Sequence, residues 1–312
     1  MPSNQNPLGA LPARFRRERL LIVGCGDIGK RVLRDVAGRV RVLALTSSPA
    51  RRSDLRARGA RPLVGNLDAP ATLTRLAGIA TRVLHLAPPP GEAGAGGADW
   101  WRDPRTLALL RALRRRSPPV ALVYASTSGV YGDCRGERVA ETRPVAPRTP
   151  RAQRRVDAER AVRFFGRSGV RTSILRIPGI YAPDRAGGTP RERLLKGTPV
   201  LDARDDVYTN HIHADDLARA CLAALWRGKS QRVVNVNDDS ALKMGDYFDL
   251  AADLYGLPRP PRLPRDAAQA TLPLGLLSFM SESRRLDNTR LKNELKLKLA
   301  WPTVAAGLVI KE

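Results

Sequence analysis

Short apolar runs alternate with amphipathic stretches through the first two-thirds of the chain. Leu20–Val23 ends at Gly24 and leads into a helical pattern carrying Val32, Leu33 and Val36. Val40–Leu45 reads as a second strand, with a basic helical stretch after it to Gly59, and Pro62–Val64 as a third. A helix over Pro70–Leu76 then precedes a fourth strand, Arg82–Leu86, closed by Pro88–Pro90. Asp103-Pro104 opens a helix to Arg115, with Asp as cap and Pro in the first turn. Val120–Ser126, a helix over Ala152–Phe165, Thr172–Ile177 and Val233–Val236 continue the series. Strands alternating with helices predict an α/β protein with a doubly wound parallel sheet and right-handed crossovers.

Regularity lapses elsewhere. Gly91–Gly97 is a Gly/Ala loop expected to move, Gly132–Pro150 is polar and punctuated by prolines, and Pro258–Pro264 holds four more prolines beyond the helix around Tyr247–Tyr255. The predicted organisation is a disordered tail over 1–17, a nucleotide-binding sheet domain over 18–183 and 205–239, and a smaller C-terminal substrate lobe over 184–204 and 240–312. Such a lobe would cover the sheet's carboxyl edge, where open α/β sheets bind ligands.

Composition narrows the function classes. The chain has 312 residues, 43% of them apolar, without an apolar run near the ~20 residues that span a bilayer. Three scattered cysteines (Cys25, Cys134, Cys221) and three histidines form no metal-ligand spacing, so no metal is expected, and a reducing cytoplasm fits. The formal charge is +24, yet of 54 basic residues only eight are lysines, leaving 46 arginines spread along the chain. That bias reads as genome composition. Weak adhesion to polyanions is expected; a specific nucleic-acid partner is not.

The chemistry begins at Gly24-Cys25-Gly26-Asp27-Ile28-Gly29, a GxGxxG between an apolar strand and a helix. Gly24 permits a tight turn, Gly26 lets a pyrophosphate approach the backbone, and Gly29 lets helix and strand pack closely. The helix N-terminus offers free N–H groups and partial positive charge. At the end of the second strand a carboxylate would mark an NAD site, but here stand Thr46, Ser47, Arg51 and Arg52. Hydroxyls and guanidinium groups suit a 2′-phosphate, so NADP(H) is favoured over NAD(H). Asn66 and Leu67 after strand three and Ala87 after strand four complete the expected cofactor rim.

Ser126-Thr127-Ser128-Gly129-Val130-Tyr131-Gly132, Arg176-Ile177-Pro178-Gly179-Ile180-Tyr181-Ala182-Pro183 and Asn210-His211-Ile212-His213-Ala214-Asp215-Asp216-Leu217 follow in order. Together with the glycine turn they resemble the short-chain dehydrogenase/reductase superfamily, in its extended, epimerase/dehydratase-like branch. The resemblance implies a Rossmann-like fold, a small-molecule substrate, a homodimer, a substrate oxygen held at Thr127, and Pro178 beside the cofactor.

The same resemblance implies a YxxxK proton donor. Aligned without gaps, the family pattern falls on Arg151, Arg155 and Glu159, one helical face with arginines where tyrosine and lysine are usual. Arginine stays protonated, so Arg151 can anchor an anion but cannot shuttle a proton. Arg155 could still serve the ribose. The plainer alternative for all three is a solvated i,i+4 ladder. Tyr131, Tyr181, His211 and His213 are candidate proton groups by location, with packing their default role. Asp215 and Asp216 are expected to cap a helix over Leu217–Leu225. Three functions remain open: an NADP(H)-dependent oxidoreductase or epimerase-like enzyme for a small polar or anionic molecule, a noncatalytic NADP(H) sensor, and, least expected, an RNA- or DNA-binding protein that borrowed the fold.

Overall fold

The computed structural model describes residues 18–91 and 99–308. Seven strands form one sheet: β1 (Arg19–Val23), β2 (Arg41–Thr46), β3 (Arg61–Val64), β4 (Arg82–His85), β5 (Ala121–Thr127), β6 (Arg171–Ile177) and β7 (Arg232–Asn235). Their spatial order is β7-β6-β5-β4-β1-β2-β3 and every pairing is parallel. The winding direction reverses between β1 and β4, which opens a crevice at the carboxyl ends of those two strands. The expected doubly wound, Rossmann-like α/β architecture is therefore present.

Strand alternation splits the core into two layers. Leu20, Ile22, Ala44, Val123 and Leu175 face α1 (Asp27–Val36) and α5 (Ala214–Arg227). Leu21, Val23, Leu43, Leu122 and Tyr124 face α3 (Pro104–Arg114) and α4 (Pro150–Gly166). Covering both faces is why the strands read as unbroken apolar runs. The connection from β2 to β3 holds a shorter helix, α2 (Arg52–Ala57), after which Gly59 turns the chain at φ +81°.

Two expectations shift. Pro70–Leu76 is a 3-10 helix, as suits a short stretch carrying the β-branched Thr72 and Thr74. The substrate lobe has its own apolar centre around Val200, Leu201, Tyr247, Phe248 and Val304, built on α6 (Met244–Tyr255). Leu291, Leu295, Leu297 and Leu299, however, join the sheet layer beneath α1 and α5, so the stretch from 240 onward is shared between the two cores. The expected tail over 1–17 lies outside the described residues, as does most of the Gly/Ala loop. Among the described residues, no helix is long and apolar enough to cross a membrane.

Candidate cofactor and reaction site

β1 delivers the glycine turn to the crevice. Gly24 has φ +85°, and a Cβ there would lie 2.5 Å from the Ala87 backbone nitrogen, so only glycine fits. Ala87 itself is held by its N–H donating to Val23 O at 3.0 Å. Gly29 is pressed against Cys25, with Cys25 Sγ 3.0 Å from where its Cβ would be. Gly26 differs: it is exposed, and nothing lies within 4 Å of a Cβ built on it. Packing does not demand a glycine there, whereas a phosphate approaching the backbone would. No side chain caps α1 at Gly26, leaving its first N–H groups toward that open space. The residues thus fit a dinucleotide pyrophosphate. Cys25, Ile28 and Leu67 turn their side chains toward the core and offer a ligand only backbone; burial pushes the Cys25 thiol up to about 11, so it is inert.

Asp27 would place a negative charge beside those phosphates, but it is neutralised by Arg31 at 3.2 Å and by Arg185 at 2.9 Å. At the end of β2, the Thr46 hydroxyl accepts from Ser48 N–H at 3.2 Å and Ser47 is exposed. Arg51 donates to Cys25 O, which puts its guanidinium against the glycine turn. Arg52 goes elsewhere: it lines a groove on the β3 edge with Arg56, Arg61 and Arg75. The nearest acid, Asp54, is paired with Lys30 (3.0 Å) and Arg58 (2.8 Å). Asn66 closes a turn by accepting from Asp68 N–H.

Thr127 ends β5, where its hydroxyl accepts from Gly129 N–H at 3.3 Å, and Pro178 follows the neighbouring end of β6. α4 starts beside them, capped by Thr149, whose Oγ1 accepts from Ala152 N–H, with Pro150 at its first position. Arg151, on the first turn, is exposed and makes no ion pair among the described residues. Desolvation by neighbouring protein atoms, and then the like charge of Arg155, hold its guanidinium below the ordinary arginine value.

The solvated ladder does not form. Arg155 is buried and donates through Nη1 to Ala125 O (2.5 Å) and Tyr124 Oη (3.1 Å), bracing β5 from beneath. Glu159 is 3% exposed and takes both prongs of Arg176, at 3.1 and 2.8 Å, plus the Ser126 hydroxyl at 2.6 Å.

Residues 20–237 match the model of the NAD dependent epimerase/dehydratase family, well over half of the chain. The chain belongs to the NAD-dependent epimerase/dehydratase family. An uncharacterized protein of Mycobacterium tuberculosis (strain H37Rv) is 26% identical over 241 residues, 72% of this chain but 63% of the relative, so the match spans less than two-thirds of that protein. A functionally unknown conserved protein from Silicibacter pomeroyi superposes with TM-score 0.75 at 29% identity, covering 93% of this chain and 96% of that one. The UDP-glucose 4-epimerase of Thermotoga maritima, solved with UDP-glucose, shares the fold at TM-score 0.75 and 20% identity, over 93% and 96% of the two chains.

Within this epimerase/dehydratase frame the other candidate proton groups are all buried. Tyr131 donates to Asn235 Oδ1 at 2.7 Å and Tyr181 to Thr303 O at 3.1 Å, and burial raises both phenols further above neutrality. His211 stacks on Tyr247 at 4.2 Å and His213 on Trp301 at 3.9 Å. Burial drives His211 down to about 4, so it is neutral at pH 7. His213, not an aspartate, caps α5 by accepting from Asp215 N–H. Asp215 instead pairs with Arg31 and Arg34, and Asp216 accepts from the N–H groups of Ala300 and Trp301. Sequence reasoning missed the Arg185–Asp27 contact and the Glu159–Arg176 pair. The first joins residues 158 apart with no local signal. The second had one: Glu159 falls on the face of α4 that meets the sheet.

Proposed function

We propose that this chain is an NADP(H)-dependent oxidoreductase or epimerase-like enzyme for a small polar or anionic substrate. Its distinguishing device is a guanidinium, rather than a phenol, facing the reacting oxygen. The observation that carries this is Arg151, an unpaired cation on the first turn of a helix that starts beside Thr127. The α4 N-terminus adds its partial positive charge to the same place. A preorganised cation and dipole stabilise negative charge that develops on oxygen during reaction.

The bound nicotinamide would supply or accept hydride. Thr127 would hold the substrate oxygen, Arg151 would offset its charge, and Arg155 would keep the end of β5 in place through its bond to Ala125 O. Arg51, Thr46 and Ser47 favour a 2′-phosphorylated cofactor, since no free carboxylate ends β2. Solvent is then the proton source, because the tyrosines and histidines nearby are buried. The test is NADPH consumption across aldehydes, ketones and nucleotide sugars, the last included because the Thermotoga neighbour was solved with UDP-glucose. Arg151→Ala should lower kcat about 10²-fold, the scale of one lost oxyanion contact, with NADPH affinity unchanged.

The burial of those same phenols and imidazoles also favours a second reading, a sensor that binds cofactor without turnover. A sensor must bind NADPH and NADP⁺ unequally. Equal dissociation constants remove it, and tight NADPH binding without turnover on the whole panel removes the enzyme.

A further inference from the structure

The loop 182–188, on the chain leaving β6, reaches across to the start of α1. Arg185 donates to Asp27 Oδ2 at 2.9 Å, and Asp184 accepts from Arg31 Nη2 at 2.7 Å. The loop is closed on itself: Ala182 N–H donates to Gly188 O at 3.2 Å, and Gly188 N–H to Arg185 O at 2.9 Å. A Cβ at Gly188 would stand 2.5 Å from Ala182 O and 2.7 Å from Arg185 Cβ, so this closure requires glycine. Asp27 follows Gly26 directly and is the first residue of α1, the helix whose uncapped N-terminus faces the glycine turn. Arg51, from the chain leaving β2, donates to Cys25 O in the same turn. Two guanidinium groups thus flank the turn, one carried in from each side of the β1–β4 crevice.

An acid in the first turn favours the helix dipole, yet at this helix it lies where phosphates are to bind. Neighbouring acids add to the problem. Asp27, Asp184 and Asp215 all accept from Arg31, and Asp215 shares Arg34 with Asp35. Each side-chain nitrogen of Arg31 is therefore bonded already, and that side chain is only 6% exposed. Arg34 lies about two turns further along α1. Arg185 is different. It uses Nη1 alone; Nε and Nη2 make no bond among the described residues, and the side chain is 29% exposed. An ion pair this exposed adds little stability, and the Asp184–Arg31 bond already ties the loop to α1. We propose that Arg185 is a cofactor-binding residue: it donates from Nε and Nη2 to the pyrophosphate, while Asp27 holds Nη1 and aims the fork. One planar guanidinium can serve a carboxylate and phosphate oxygens together. The acid inside the glycine turn is then the group that positions this arginine. The assignment rests on the dinucleotide reading above, and it adds a contact from the loop that leads into the substrate lobe.

Calorimetric titration of the full chain with NADPH and with NADH tests it, with urea midpoints as the folding control. Arg185→Gln should bind both cofactors at least tenfold more weakly, and by the same factor, since both carry the pyrophosphate. Its urea midpoint should stay close to wild type. Arg185→Lys keeps the charge without the fork and should lose about threefold; it carries the test if the glutamine variant does not fold. Asp27→Asn should stay within about threefold of wild type, because the lost aim is offset by the lost repulsion. The double variant Asp27→Asn, Arg185→Gln separates contact from charge cancellation: it should bind at least tenfold more weakly than Asp27→Asn alone. Equal affinity of those two variants would make Arg185 only a counter-ion of Asp27 and overturn the proposal. So would wild-type affinity in Arg185→Gln, or in Arg185→Lys where it stands in, or a loss confined to NADPH. A wild-type protein that binds neither cofactor would overturn the dinucleotide reading, and the proposal with it.

Discussion

Gly24 and Gly26 sit two residues apart in one motif, and alanine at each should fail for opposite reasons. At Gly24 the new Cβ meets the Ala87 backbone at 2.5 and 2.7 Å, and φ +85° is a conformation that L-residues avoid. Backbone strain of about 1–3 kcal/mol and overpacking of about 1–3 kcal/mol give a total of about 2–6 kcal/mol. Gly24→Ala should therefore lower the urea midpoint clearly in the absence of any ligand. At Gly26 the Cβ enters open space, and replacing a favourable N-cap residue by a poor one costs about 1 kcal/mol. Gly26→Ala should lose only about 1 kcal/mol of stability yet bind NADPH at least 30-fold more weakly, because the methyl occupies the path of the pyrophosphate. The paired assay is urea unfolding followed by tryptophan fluorescence, with NADPH titration of each folded variant. Wild-type affinity in Gly26→Ala would refute the assignment of that space to phosphate. A large stability loss in the same variant would refute the packing argument.

Glu159→Gln leaves Arg176, 3% exposed, as an unneutralised buried cation, and chemical denaturation should report a loss of about 3–5 kcal/mol. The double replacement Glu159→Met, Arg176→Met should cost clearly less than the sum of the single Met replacements. Burial raises Asp238 to about 7, so between roughly pH 4 and 7 the folded state keeps a proton that the unfolded chain has released. Its contribution to stability is full below pH 4 and is lost as pH rises through 7, and Asp238→Asn should gain on wild type by up to ~1.4 kcal/mol per pH unit across that window; parallel pH profiles would contradict this. Arg51→Ala should raise the Kd for NADPH about tenfold while leaving NADH within twofold, as loss of one charge-assisted bond predicts; equal effects on both would place Arg51 away from the 2′-phosphate.

What was legible in the chain was what repeats with the period of an element or depends on a turn. Seven apolar runs set the strands, and the cap of α3 was readable because Asp103 stands directly before Pro104; the structure shows Asp103 accepting from Arg105 and Thr106 N–H. The glycine turn was readable because strand, turn and helix are contiguous. The interior of the site was not. A buried arginine such as Arg155 has the same letter as the exposed Arg151 four residues earlier, and only the packing of α4 on β5 separates a brace from a free cation. In the same way, Arg51 and Arg52 are adjacent in sequence but turn to different sides of α2's first turn.

If the backbone past Val23 receives a 2′-phosphorylated dinucleotide, the extra phosphate must show in the binding heat. Isothermal calorimetry of the wild-type protein with NADPH and with NADH tests it most directly. NADPH should bind saturably at one site, about tenfold more tightly than NADH. Absence of heat with both cofactors would contradict it, and a preference for NADH would overturn the role given to Arg51.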